Sequence, residues 1–130
     1  RAAGSRNVVA LTEYAVMEKD PAKAIPVLQE AVSIDPKYAQ AHWFWGEKTA
    51  DPAQRLEQWK LATGLAPRKY EWWAQYAQLC VDQKKFAEAG RAWVAAAQAA
   101  PDAAHREQYL AARSVIDQQR LEADLGQRID

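Results

Sequence analysis

Histidine and cysteine, the residue types that most often carry nucleophilic, general-base or metal-ligating chemistry, occur three times in this 130-residue chain: His42, His105 and Cys80. A nucleophilic site needs a base and an orienting group within hydrogen-bond reach, and a metal site needs several ligands gathered at one point. No second ligand stands close in sequence to either histidine, and the HExxH, CxxC, GxGxxG and phosphate-loop glycine patterns are absent. No catalytic residue, metal ligand or cofactor is assigned, and no enzyme activity is expected. Cys80, a lone cysteine of a residue type that is among the most often buried, is expected to be a buried small hydrophobe rather than a reactive thiolate.

The residues left to work with are aromatic. Six tryptophans in a chain this short is a high count, and indoles serve either as core or as anchors for a partner. Composition narrows the partner. The 17 basic and 17 acidic side chains cancel and form no long block, so the electrostatic footprint of a duplex nucleic-acid or anionic-membrane binder is missing. No apolar run reaches eighteen residues and no charged-then-apolar leader stands near Arg1, so neither a membrane span nor a signal peptide is expected. An apolar share of 49% is that of a folded domain, and 130 residues suffice for one core.

The elements that must position these residues announce themselves through proline. Pro36, Pro67 and Pro101 each close an Ala-rich amphipathic stretch, "AIPVLQEAVSIDP", "RLEQWKLATGLAP" and "AGRAWVAAAQAAP". Asp20-Pro21 and Asp51-Pro52 precede the first two of these prolines at equal distance, so residues 10 to 36 align without gaps on 41 to 67. Asp accepts the orphan N–H groups of a first helical turn, and Pro, which has no N–H, is suited to the position after it. Helices are expected near 7 to 18, 21 to 34, 38 to 49, 52 to 64, 68 to 82, 85 to 99 and 103 to 125, with residues 1 to 7 as linker and 126 to 130 as tail. Strand alternation is absent, so the chain is read as all-α.

Trp73, Tyr76, Ala77, Cys80, Ala89, Trp93 and Pro101 stand at the spacing of W-x2-L-G-x2-Y, A-x3-F, P, and the segment resembles a tetratricopeptide repeat. Leu11, Tyr14, Ala15, Ala24, Leu28 and Pro36, and then His42, Trp45, Gly46, Arg55, Trp59 and Pro67, resemble the pattern less closely. Both lack three residues around the turn between their helices. Arg55 stands where the family has a small residue, which predicts an altered packing angle there. The resemblance covers residues 8 to 125 and implies a right-handed α-solenoid of repeats near 8–36, 39–67 and 70–101, with a capping helix over 103–125.

The resemblance implies that Trp45, Trp59, Trp73 and Trp93 are packing residues and that a concave groove is lined by Thr12, Trp43 and Ala74, with Glu13, Phe44, Glu47, Gln75, Gln78 and Asp82 beside them. Trp43 with Phe44 is the expected apolar anchor. The groove lacks the Lys, Arg and Asn with which some members clamp a C-terminal carboxylate, so an apolar or mildly basic protein or peptide segment fits better. Two alternatives stay open: self-association through the aromatic surface, and the half-tetratricopeptide repeat of RNA-processing scaffolds, which "WAQYAQL" at Trp73 to Leu79 also resembles.

Overall fold

A computed structural model describes the backbone of residues 2–129 and the side chains of residues 7–126. Seven α-helices account for it, with no strand among the described residues: α1 Ala2–Met17, α2 Pro21–Ile34, α3 Ala39–Lys48, α4 Pro52–Leu65, α5 Tyr70–Asp82, α6 Phe86–Ala99 and α7 Ala103–Ile129. The ends of the chain are more helical than expected. Helix α1 begins inside the stretch expected as linker, and α7 runs on into the stretch expected as tail.

The Asp-Pro pairs behave as helix starts. Asp20 accepts the Ala22 N–H and Asp51 the Ala53 N–H, each at 3.0 Å, with Pro21 and Pro52 at the first helical positions. Asp102 caps α7 through the His105 N–H at 2.8 Å. Pro26 lies inside α2 near its start, on the exposed side, and the helix continues through it.

The chain divides into two compact units, Arg1–Ala66 and Pro67–Asp130. In the first, α1 packs on α2, α2 on α3, α3 on α4, and α1 also reaches α3. Its core uses Ala24, Leu28 and Ala31, which recur along one face of α2 and are fully buried. Ala31 joins Val8 and Ala41, while Leu28 and Ala24 join Ala15. In the second unit α5 packs on α6 and α6 on α7. There Ala89, Ala92, Ala96 and Ala97 bury the inner face of α6, and Ala96 and Ala97 meet Tyr109 of α7. Small residues on that face let helix axes approach closely, and the large rings of Trp73 and Trp93 fill the space beside them.

Helix ends are closed by long cations as well as by caps. Lys48 Nζ donates to the carbonyls of Val16 and Glu18, at 3.2 and 2.9 Å, where α1 ends. Arg55 does the same for α3: its Nε donates to Gly46 O and its Nη2 to Thr49 O, both at 2.9 Å. Arg55 therefore serves as a C-cap for the preceding helix, satisfying carbonyls that have no partner within it.

Candidate functional site

Trp43 lies elsewhere than an open groove. It is the most buried of the six tryptophans, 2% exposed, and its ring stacks on Trp59 at 4.0 Å with the planes 8° apart. The Trp59 indole N–H donates to the Trp43 carbonyl at 2.9 Å. The stack is possible because Gly46 has no side chain: a Cβ there would lie 2.7 Å from Trp59 Nε1. Two large rings and one absent methyl thus lock α3 onto α4, and the expected anchor is a core residue with almost no surface for a partner.

Phe44 behaves differently. One side of its half-buried ring packs on the Ala15, Ala24 and Leu28 cluster. It also lines a groove of about 330 Å³ between α1 and α3, with Thr12, Glu13, Val16, Met17, Tyr38 and Gln40. Thr12 also lines this cleft, although its hydroxyl is turned back to the Val8 carbonyl at 2.8 Å and the residue is buried. Met17 is 83% exposed at the groove's edge. Burial, with the negative charges of Glu13 and Asp35 adding to it, raises the Tyr38 phenol above its usual pKa. Tyr38 therefore stays a neutral hydrogen-bond donor on the groove wall.

The remaining expected residues are separate from this groove. Glu47 is exposed on α3, and only its carbonyl is engaged, by Arg55 at 3.5 Å. In the second unit Ala74 is half-buried against the Ala96, Ala97 and Tyr109 cluster. Gln75 is exposed, and Gln78 donates to the Asp82 carboxylate at 3.1 Å on the surface of α5. Val16, Met17, Tyr38 and Gln40 were not anticipated. A signal for the first two was present: the buried face of α1 is Val8, Thr12 and Ala15, and Val16 and Met17 are apolar residues outside it.

The titratable groups are used by the fold. His42 is buried, with Nε2 facing the Pro36 carbonyl and Nδ1 the Gln58 side-chain amide, each at 2.7 Å. Cys80 is fully buried, and burial pushes its thiol up to about 11. The same cause raises the neighbouring Tyr76 phenol. His105 is half-buried, pairs with Asp102 at 2.9 Å and meets the Tyr70 ring edge-on. Among the described residues, no group of three or more His, Cys, Asp or Glu side chains could hold a metal ion, and no helix is long and apolar enough to cross a membrane. In comparisons with known proteins, the chain matches no family model and no curated relative.

Proposed function

We propose that this chain is a tetratricopeptide-type helical repeat module, a right-handed α-solenoid, that holds a segment of another protein, and that the groove between α1 and α3 is where it does so. The observation that carries this reading is the groove itself: about 330 Å³ bounded by Phe44, Tyr38, Val16 and the exposed Met17, with Glu13 as the charged group in its lining. Exposed apolar surface of this kind costs solubility and is usually retained for contact. The contact between α1 and α3, the first helices of successive hairpins, is what a repeat array requires. Thr12 and Phe44 take part in this reading, whereas Trp43 supports the groove from the core.

The occupant that fits is an apolar segment with a flanking lysine or arginine for Glu13. The test is fluorescence anisotropy of the labelled amide Lys-Leu-Phe-Leu-Lys against its Glu-flanked counterpart, on the wild-type chain and on Phe44→Arg. Preferential binding of the basic peptide, weakened about tenfold or more by Phe44→Arg, is expected for loss of an apolar anchor. Equal binding by the variant, at unchanged helicity, would sink the proposal. A crystal structure in which successive hairpins stack with any other hand would overturn the repeat assignment.

A second reading, self-association, is favoured by the far face of α7. Tyr109 and Ile116 on one face are buried, while Leu110, Leu121 and Leu125 on the other are each more than 40% exposed. A strictly monomeric chain at high concentration in sedimentation equilibrium would exclude it.

A further inference from the structure

A second cleft, of about 360 Å³, lies in the second unit between α6 and α7, and its chemistry is the opposite of the first. Three guanidinium groups line it, Arg91 from α6 with Arg113 and Arg120 from α7, against one carboxylate, Asp117. Gly90 and Val94 supply apolar lining. The chain as a whole has no net charge, so this excess of positive charge is local to the cleft.

The arginines differ in how far they are already engaged. Arg113 pairs with Asp117 at 3.4 Å and Arg91 with Glu88 at 3.3 Å; both arginines are solvent-exposed, so these pairs hold them weakly. Arg120 has no acidic partner among the described residues. Arg113 and Arg120 are seven residues apart on one helix, which puts them on the same face about 10 Å apart along the axis. A polyproline II segment, the extended form with three residues per turn, rises about 9 Å over those three residues and brings the fourth side chain back to the same face. Carboxylates at positions i and i+3 of such a segment therefore match the two guanidinium groups, leaving two residues between them for the apolar lining. Gly90 keeps that space open, since a Cβ there meets nothing nearer than Asp117 Oδ1 at 3.9 Å.

From charge, spacing and lining together we infer that the α6–α7 cleft is a docking site for an acidic, extended protein segment of the form acid-apolar-apolar-acid. Planar guanidinium forks suit carboxylates in this role, and arginine clusters are a recurrent way of reading acidic motifs. This site is independent of the α1–α3 groove, and the two can fail separately.

The experiment is a titration of the full chain, at low ionic strength, with the fluorescein-labelled peptide Gly-Glu-Glu-Leu-Val-Glu-Glu, blocked as the C-terminal amide so that no terminal carboxylate contributes. Wild type binds it and does not bind the version with Lys in place of Glu. Arg120→Gln, which removes an exposed and unpartnered cation, weakens binding about tenfold, the scale of one charge-assisted hydrogen bond. Gly90→Leu fills the cleft without changing its charge and weakens binding at least as much. Lys60→Gln removes an equal, exposed charge from α4 and leaves affinity within about twofold, because a distant surface charge is screened. Phe44→Arg, which disables the other groove, leaves this affinity no weaker. Equal losses from Arg120→Gln and Lys60→Gln would mean diffuse attraction to surface charge and would overturn the inference. So would absence of binding by wild type. If Gly90→Leu does not fold, as judged by circular dichroism, the comparison of Arg120→Gln with Lys60→Gln decides alone.

Discussion

Trp59 and Trp93 stand at equivalent places in the α3–α4 and α5–α6 hairpins, yet the two hairpins close by different means. In the first, the Trp59 ring stacks on Trp43 above Gly46, its N–H finds the Trp43 carbonyl, and Arg55 reaches back to cap α3. In the second, Trp93 is half-buried, stacks on Tyr109 of α7 at 5.6 Å, and its buried indole nitrogen has no hydrogen-bond partner among the described residues. The place of Arg55 is taken by Ala89, fully buried.

Helix α5 is also longer, 13 residues against 10 in α3, and ends by a backbone device instead of a side chain. The Lys84 N–H donates to Val81 O at 2.9 Å and the Lys85 N–H to Cys80 O at 2.8 Å, with Lys84 in the left-handed region at φ 59°. That is a Schellman closure. The missing three residues of the first hairpin are thus one helical turn, and a long arginine replaces the backbone bonds which that turn would have brought. Both hairpins reach a close helix approach, one over a glycine and the other over an alanine face.

The comparison can be broken most sharply at the glycines. Gly46→Ala forces a methyl into the indole of Trp59, which is stacked and cannot swing away, and should lower the stability of the first unit by about 1–3 kcal/mol despite the better helix propensity of alanine. Gly90→Ala meets nothing closer than the Asp117 carboxylate at 3.9 Å and should change stability by less than about 1 kcal/mol, toward a more stable protein. Urea unfolding followed by circular dichroism measures both. Equal effects would show that the close approach at Gly46 is not what closes the hairpin.

Alkaline pH should separate the two units next. The fold holds the Cys80 thiol in its neutral form, with its pKa raised from 9.0 to about 11, so its stabilisation is complete below pH 9 and is lost as pH rises through about 11. Tyr76 and Tyr109 of the same unit are shifted upward as well, whereas the first unit has Tyr38 alone. Loss of tertiary structure, followed by near-ultraviolet circular dichroism between pH 8 and 11.5, should therefore begin in the second unit. Cys80→Ala should flatten the pH dependence between 9 and 11; an unchanged slope would deny the thiol this role.

The smallest effect belongs to the turn. Lys84→Gly removes the penalty of a side chain at positive φ and should stabilise the protein by about 1 kcal/mol, raising its melting temperature. Ala50→Gly, in the corresponding turn of the first hairpin where no residue has positive φ, should not stabilise it. A gain from Ala50→Gly equal to that from Lys84→Gly would remove the distinction between the two closures.

Much of the fold was legible because it depends on local rules. Asp20-Pro21, Asp51-Pro52 and Asp102 start helices where their side chains can accept first-turn N–H groups, and Pro36, Pro67 and Pro101 lie in the turns that follow. Tyr109 and Ile116, seven residues apart, share one face of α7 by helical periodicity, and both are buried. The site was less legible. Periodicity identifies an apolar face but does not say which of two adjacent rings, Trp43 or Phe44, a neighbouring helix will cover.

By itself, then, the sequence determined seven helical segments and most of their ends, since capping, proline geometry and a 3.6-residue repeat act within a few residues of the chain. Only the tertiary structure decided that Trp43 is core, that Arg55 and Lys48 cap helices other than their own, and that Arg91 shares a cleft with Arg113 and Arg120. Those outcomes depend on how closely one helix approaches another, and that distance is set by the side chains of both helices together.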